Sequence, residues 1–208
     1  VIICSFHLQA QTASQLEDFQ TWLKKLKRMA SIRGISQATS EDVFNNIKLL
    51  PKVIELDHKQ PEFSISFGKY LNNMLTKSRI KMGKEMFKKH SQLLDDIYKI
   101  YGIPPQYLVA FWGMETNYGN YMGSFNTISA LATLSYNKRR RTFFTKELLF
   151  ALRIIDDGHV SYQNMYGSWA GAMGHPQFMP STFVKYAKDG NGDNVIDLWN
   201  SVSDALTS

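Results

Sequence analysis

The 208-residue chain contains one cysteine, Cys4, so it cannot form an intramolecular disulfide. Beyond its first residues, no run approaches the roughly 20 apolar residues that a membrane-spanning helix needs. Internal repeats, low-complexity tracts and glycine–serine linkers are also missing. These absences argue against a disulfide scaffold and against lobes joined by flexible linkers, so any lobes should pack closely.

Acidic residues are relatively few: 18, against 24 lysines and arginines, which gives a net charge of +6 and a pI near 9.3. This excess favours an anionic partner, such as nucleic acid, acidic lipid headgroups or a carboxylate-bearing cell wall. The basic residues form separate clusters at residues 24–28, 88–90 and 138–141. Most of them are interpreted as solvated helix faces rather than as one binding surface.

The hydrophobic periodicity predicts a mainly helical protein with, at most, short hairpins. Ser40 is predicted to cap a helix because Glu41 and Asp42 follow it. The segment 51–63 has a proline near each end and is predicted to be an extended connector or short strand. Helices are expected over residues 14–31, 66–73, 78–101, 127–134 and 142–157.

One stretch, residues 101–123, combines an apolar helix with a carboxylate. Pro104 and Pro105 indicate the start of the helix, and Gly119 offers a stop. Leu108, Phe111, Trp112 and Glu115 recur at helical spacing on one face. Aromatic neighbours should raise the pKa of the Glu115 carboxyl, which would allow it to donate a proton near neutral pH. The alternative is a helix-end glutamate paired with an arginine.

A second unusual stretch, GSWAGAMGHPQFMPST, covers residues 167–182. Its glycines permit close backbone approach, and Ser181 is predicted to cap a following helix. One interpretation is a tight helix–loop packing site. The other has Ser168, Gln177 and Phe178 facing a ligand in a groove.

Several motifs in order resemble one family. GMETNYGNYMG, ISALATLSY, GSWAGAMGHPQFMPST and DGNGD followed by DLW are similar in order and spacing to the B-type lytic murein transglycosylases, and the upstream IELDHKQPEF also resembles them. The resemblance covers roughly residues 15–208. It implies a mainly α fold, with a lysozyme-like catalytic core over residues 101–208 and an additional helical lobe over residues 14–100. The core would be truncated at its C-terminus, because family members continue further.

The resemblance also implies roles for individual residues. Glu115 matches the family's sole catalytic acid and base, and the chain should therefore be a peptidoglycan-cleaving enzyme. Other matching positions line the sugar groove or offer charge to wall carboxylates: Ser168, Gln177, Phe178, Arg140, Arg141 and, more loosely, Tyr70.

The implied reaction needs one carboxyl group, whereas ordinary glycosidases use two. No second acid lies in the motif of Glu115, and Glu147, Asp156 and Asp157 are interpreted as solvated residues of another helix. Cleavage after N-acetylmuramic acid would leave a 1,6-anhydro ring without consuming water. The alternatives are a hydrolysing muramidase on the same scaffold and a non-catalytic peptidoglycan-binding module.

The loop DGNGDNVID, residues 189–197, has the spacing of an EF-hand-like calcium loop. The spacing puts a non-glycine residue, Asn194, at the sixth position and Asn200 at the twelfth. The alternative is an ordinary turn rich in Asp, Asn and Gly. Any ion would be structural, and catalysis should require no cofactor. The candidate ligands are Asp189, Asn191, Asp193, the Val195 carbonyl, Asp197 and, in a longer loop, Asp204.

The apolar opening, residues 1–13, is similar to the end of a secretory signal peptide. Bulky Ile3 before Cys4 disfavours lipidation of that cysteine. With the family resemblance, this predicts a periplasmic protein of a Gram-negative bacterium, with outer-membrane association as an option. The expected partner is the peptidoglycan glycan strand, the expected state is a monomer, and nucleic-acid binding is disfavoured because the basic residues do not line one helix.

Overall fold

The computed structural model describes residues 18–59 and 66–208, and the protein is mainly helical over these residues, as predicted. The helices are α1 (residues 18–32), α2 (Gln37–Phe44), α3 (Pro51–Lys59), α4 (Phe67–Met74), α5 (Lys77–Lys89), α6 (Ser91–Tyr101), α7 (Pro105–Thr116), α8 (Thr127–Tyr136), α9 (Arg141–Asp156), α10 (Pro180–Tyr186) and α11 (Val202–Thr207). The predicted signal-peptide remnant, residues 1–13, lies outside the described residues.

Two short strands, β1 (Phe125–Asn126) and β2 (Tyr166–Gly167), form an antiparallel pair in which Phe125 lies opposite Gly167. Two short 3-10 helices, Lys138–Arg140 and Tyr162–Asn164, connect neighbouring elements. Within the described parts of the chain, no helix is long and apolar enough to cross a bilayer.

The larger hydrophobic core surrounds α8. This helix has small or apolar residues on every side, and all its positions from Thr127 to Ser135 are buried. A helix without a polar face is stable only when other elements cover it. α9 packs most extensively against it, and residues of α1, α2, α3 and α10 complete the same core.

A smaller hydrophobic cluster positions α7. It joins Leu94 and Ile97 of α6 to Val109 and Trp112 of α7, with Leu206 of α11 packed against them. α1–α3 share the larger core with α8–α10, whereas α5 and α6 pack beside α7. The predicted boundary between a lobe of residues 14–100 and a core of residues 101–208 stays a prediction.

The connector predicted at residues 51–63 is wrong over its first part, because Pro51–Lys59 is a helix. Pro51 occupies the first helical position, where proline is tolerated because its missing N–H needs no partner. Val53 and Asp57, four residues apart, are both buried. Arg139 Nη1 lies 3.4 Å from Asp57 Oδ2, so one member of the basic cluster at residues 138–141 pairs with a buried carboxylate instead of facing only solvent.

Three predicted boundaries also differ from the structure. α2 begins after Ser36, whose hydroxyl accepts from the Thr39 amide at 3.2 Å, and Ser40 is buried inside the helix. The helix predicted over residues 78–101 is interrupted at His90. Ser181 lies inside α10, which begins at Pro180.

Candidate active site

α7 carries the candidate catalytic residue and begins as predicted, with Pro104 at the N-cap and Pro105 at the first helical position. Because side chains three and four residues apart share a face, the apolar stripe and the carboxylate should point the same way. They do: Leu108, Phe111, Trp112 and Glu115 all line one pocket.

This pocket has a volume of about 260 Å³ and opens to solvent. Beyond α7, its walls come from Pro176 and Phe178, and from Leu206 and Ser208 at the end of the described chain. Its lining is therefore largely apolar, and among the residues that line it Glu115 is the only acid.

Glu115 lies exposed at the mouth of the pocket, so its carboxylate is in contact with water on one side. The apolar walls still remove part of its hydration, and this desolvation raises the pKa of the carboxyl, as predicted. No arginine or lysine pairs with Glu115 in the described parts of the chain. The helix-end ion pair is therefore not seen there.

His175 forms the buried back of the site. Its Nδ1 accepts a hydrogen bond of 2.9 Å from the Trp112 indole, so the neutral ring carries its proton on Nε2. Burial lowers the pKa of His175, which keeps the imidazole uncharged near neutral pH. Sequence reasoning missed this residue, because nothing in the sequence indicates that Trp112 and His175 meet across 63 positions.

The turn after α7 holds His175 in place. The helix ends at Thr116, and Asn117 is the left-handed cap, so the predicted stop at Gly119 comes three residues too late. The Thr116 hydroxyl donates to the His175 carbonyl at 3.1 Å. Gly119 has φ +81°, and a Cβ there would overlap the His175 ring, so both the backbone conformation and the space require glycine.

The stretch over residues 167–182 contributes one wall of the pocket. Phe178 lines it directly. Gln177 has φ +50°, and its Nε2 donates to the carbonyls of Met122 and Gly174 at 3.1 and 2.9 Å. Ser168 Oγ accepts from the Ala172 amide at 3.0 Å. The structure therefore uses Ser168 and Gln177 to hold the loop and brings Phe178 alone of these three into the Glu115 pocket.

The remaining sugar-binding candidates do not line this pocket. Arg140 lies over the rings of Phe143 and Phe144, 5.0 Å from each centroid. Arg141 donates to the carbonyls of Ser135 and Tyr136 at the end of α8. Tyr70 is half-buried on α4. Their predicted contacts with glycan or wall carboxylates stay predictions.

The prediction that Glu147 is solvated is wrong. It is buried, and its two carboxylate oxygens accept from the amide and the hydroxyl of Ser181 at 2.9 and 2.8 Å. A carboxylate at a helix N-terminus satisfies free amides and complements the helix dipole. Asp156 likewise accepts from the Ser36 amide, at 3.2 Å. These acids support helix ends and do not line the pocket of Glu115.

The candidate calcium loop is organised by its own side chains. Asp189 accepts from the amides of Gly192, Asp193 and Asn194, at 2.6–3.3 Å. Asn194, at the position usually occupied by glycine, takes a left-handed conformation with φ +68°. The first part of the loop is thus already curved, with oxygen-bearing side chains at its first, third and fifth positions.

The later candidate ligands are engaged elsewhere. Asp197 accepts from the amides of Trp199 and Asn200, both at 2.9 Å. Asp204 is fully buried and accepts from the amides of Gly190 and Asp197 at 3.0 and 2.8 Å. Over residues 18–59 and 66–208, no three histidine, cysteine, aspartate or glutamate side chains are grouped so as to hold a metal ion.

Comparisons with a family model, with a related protein and with solved structures all find transglycosylases. The family model of the transglycosylase SLT domain matches residues 18–208. Membrane-bound lytic murein transglycosylase B of Escherichia coli is 33% identical over 193 residues, which cover 88% of this chain and 53% of that protein.

Two solved structures have the same fold. SltB3 of Pseudomonas aeruginosa, in complex with NAG-NAM-pentapeptide, has a TM-score of 0.88 at 40% identity over 91% of this chain and 50% of that one. The Escherichia coli lytic transglycosylase SLT35, in complex with calcium, has a TM-score of 0.80 at 31% identity. The match covers 89% of this chain and 59% of that one. The expected lysozyme-like helical fold is confirmed. The chain spans about half the length of the relatives SltB3 and transglycosylase B.

Proposed function

The chain belongs to the SLT-domain transglycosylase family, and from that premise we propose that it acts as a lytic murein transglycosylase on bacterial peptidoglycan. It cleaves the bond between N-acetylmuramic acid and the next N-acetylglucosamine without water. The observation that carries this proposal is Glu115, the one acid among the lining residues of an apolar pocket.

In the first step, protonated Glu115 donates its proton to the glycosidic oxygen while the bond from that oxygen to C1 of the muramic acid breaks. Its raised pKa favours the protonated form that this step needs. The substrate's own 2-acetamido carbonyl assists the positive charge that develops at C1, so the protein does not need a second carboxylate as nucleophile.

In the second step, the Glu115 carboxylate accepts the proton of the C6 hydroxyl while O6 bonds to C1. This closes the 1,6-anhydro ring and restores protonated Glu115. The atoms of the two products together equal those of the substrate, because no water enters. Neutral His175, hydrogen-bonded to Trp112, supports the apolar wall beside this acid without adding a positive charge that would lower its pKa.

A relative's ligands support this substrate and product. SltB3 is known in complex with NAG-NAM-pentapeptide and with NAG-anhNAM-pentapeptide, which contain the unreacted and the anhydro form of the muramic acid. We propose that Phe178 packs against a sugar beside Glu115. Ser168, Gln177, Tyr70, Arg140 and Arg141 are proposed to contact glycan or stem-peptide carboxylates outside the pocket.

A hydrolysing muramidase is the second candidate, and the open mouth of the pocket favours it, because water can reach Glu115. Digestion of purified sacculi in ¹⁸O-labelled water, followed by mass spectrometry, separates the two reactions. We expect 1,6-anhydro muropeptides without label. Reducing-end muropeptides that carry ¹⁸O would establish the hydrolase instead, and binding without release of any product would indicate a non-catalytic module.

This substrate places the proposed activity in the periplasm, where a monomer would act on glycan strands. An extract fractionated into cytoplasm, periplasm and membranes tests the location. Recovery of the protein in the cytoplasm alone would contradict it.

We also propose that the loop of residues 189–195 binds a structural calcium ion. Asp189, Asn191, Asp193 and the Val195 carbonyl would hold it, because hard oxygen donors at this spacing suit Ca²⁺. The relative SLT35 is known in complex with calcium. The ion would neutralise the carboxylates and stiffen the loop. We expect calcium, but not magnesium, to raise the melting temperature, and Asp193→Ala, which lacks the ligand oxygen, to remove this effect. Calorimetry without heat at millimolar calcium, about the weakest range of such sites, would contradict the proposal.

A further inference from the structure

One segment of two consecutive helices, which we call the α4–α5 segment, is strongly basic. Residues 67–89, which comprise α4, α5 and their connection, contain seven of the 24 basic residues and one of the 18 acidic residues. Their formal charge of +6 equals that of the whole chain, since 17 residues of each sign remain elsewhere. The expectation that the basic residues do not line one helix is wrong for this segment, because its lysines are spaced along α5.

The spacing of these lysines puts them on one face. Lys77, Lys81, Lys84 and Lys88 follow one another at intervals of four, three and four residues, which corresponds to one side of a helix. All four are exposed. In the described parts of the chain, Glu85, 4.0 Å from Lys81, is the only acid within ion-pair distance of any of them. A surface pair of this kind neutralises little.

Exposed apolar side chains lie beside the lysines. Ile80 and Phe87 are 47% and 40% exposed, and together with Lys84 they line a groove of about 330 Å³ between α5 and α7. In α4 and in the connection to α5, Phe67 and Leu75 are 75% and 62% exposed. Aromatic rings also stack on sugars and bases, whereas the exposed aliphatic side chains of Leu75 and Ile80 suit acyl chains.

We propose that the α4–α5 segment is a docking surface for an anionic lipid membrane. The lysines face the phosphate headgroups, and Phe67, Leu75, Ile80 and Phe87 insert at the boundary of the acyl chains. Basic and apolar side chains side by side are the combination by which peripheral helices bind such a surface. The proposal relies on the proposed envelope location for the presence of lipid, and it is independent of the chemistry of Glu115.

Vesicle sedimentation with the whole chain tests this surface. We expect binding to phosphatidylethanolamine vesicles that contain about one quarter phosphatidylglycerol, and little binding to phosphatidylcholine. Raising the salt from about 0.1 M to about 1 M should release the protein, because the screening length falls to about 3 Å. Equal binding to both vesicle types would overturn the proposal.

Two sets of variants locate the surface. Replacing Lys77, Lys84 and Lys88 with glutamate should weaken vesicle binding at least about 100-fold, and Ile80→Ser with Phe87→Ser should weaken it about tenfold. The matched control replaces exposed Lys24, Lys25 and Arg28 of α1 with glutamate and removes the same charge. An equal loss in this control would show that net charge alone acts, and would overturn the proposal.

Two further measurements support the interpretation of the vesicle-binding experiment. Circular dichroism checks folding, and glutamine at the same three lysine positions replaces glutamate if the reversed charges unfold the chain. Binding of Glu115→Gln, which we expect not to cleave, to purified sacculi tests the other anionic surface. If sacculi bind through these lysines and vesicles do not, the surface recognises the cell wall and the lipid proposal is wrong. Sacculus cleavage is assayed separately, so vesicle binding can fail while the proposed catalytic function stands.

Discussion

The two sides of α7 carry opposite kinds of surface. On one side, Glu115 stands in a largely apolar pocket with His175 behind it, and desolvation raises the pKa of the acid. On the other side, Val109 and Ala110 face the wider groove along α5, whose edge carries Lys84. One helix thus separates a pocket suited to proton transfer from a surface suited to an extended anionic partner. We infer that similar apolar walls suit different tasks, depending on whether the nearby charge is partly desolvated or fully hydrated.

The substitution Glu115→Gln should separate the two sides of α7 most strongly, because it should affect cleavage at the pocket and not binding at α5. Glutamine keeps the shape of the side chain but cannot donate and recover a proton, so we expect sacculus cleavage to fall by at least about 10³-fold. Vesicle binding should not change. The charge-matched control is Glu85→Gln on α5, which should cleave at the wild-type rate. Full activity of the Glu115 variant would remove this residue from the mechanism.

Gly113→Ala should affect both sides at once. The new Cβ would lie 2.6 Å from the Tyr118 ring, which packs between α7 and α5 and donates from its hydroxyl to the Arg79 carbonyl at 3.0 Å. Relief of this overlap requires the ring to move, and we expect a loss of about 1–3 kcal/mol in the free energy of unfolding. Chemical denaturation measures it. Gly68→Ala, a helical position where the Cβ meets nothing within 4 Å, is the control. An equal loss in both would mean that the contact with Tyr118 is unimportant.

His175→Phe should impair the acid side alone. Phenylalanine fills the pocket but leaves the buried Trp112 indole N–H without an acceptor, which costs about 1–3 kcal/mol. Because Trp112 forms the wall beside Glu115, we expect kcat to fall about tenfold, and the pH at which activity declines should shift with the pKa of Glu115.

His175→Gln is the matched control, because its carbonyl oxygen can accept from the indole and should restore much of the rate. If the Phe and Gln variants lose stability equally while kcat and its pH profile stay unchanged, His175 has only a structural role.

The smallest expected effect is on how the stability of the folded protein depends on pH. The pKa of Glu115 is raised in the folded protein, so over the interval between its unfolded and folded pKa values the native state binds more protons than the unfolded state. The contribution of Glu115 to stability is complete below the pKa that its carboxyl has in the unfolded chain. It is lost as the pH rises through the pKa of the same carboxyl in the folded protein. Glu115→Gln should therefore match the wild type at acidic pH and melt at a slightly higher temperature at neutral pH. A variant that becomes relatively less stable as pH rises would contradict the raised pKa.

Regular patterns made much of the fold predictable. The apolar spacing of α7 put Glu115 and its three neighbours on one face, and the proline pair marked the helix start. α3 could not be recognised in the same way. Its buried face contains Asp57, a polar residue whose burial depends on Arg139, 82 positions away. A local pattern cannot report a partner at that distance.

The candidate site was predictable only in part, for the same reason. Glu115 and Phe178 could be identified from their motifs, and both line the pocket. His175 and the N-terminal support of α10 by Glu147 depend on contacts between segments that are far apart in the sequence. Motif reasoning also assigned Ser168 and Gln177 to the ligand. Their side chains hold backbone groups of the loop, and their contact with glycan stays a prediction.

Tyr118 has a mechanical consequence. Its ring fills the space left by Gly83 on α5 and Gly113 on α7, so these helices should behave as one rigid body. If α5 rests on a bilayer, the position of Glu115 relative to the lipid is then fixed by that of α5. Such an enzyme would trim strands in the layer of wall next to the membrane and leave those further away untouched.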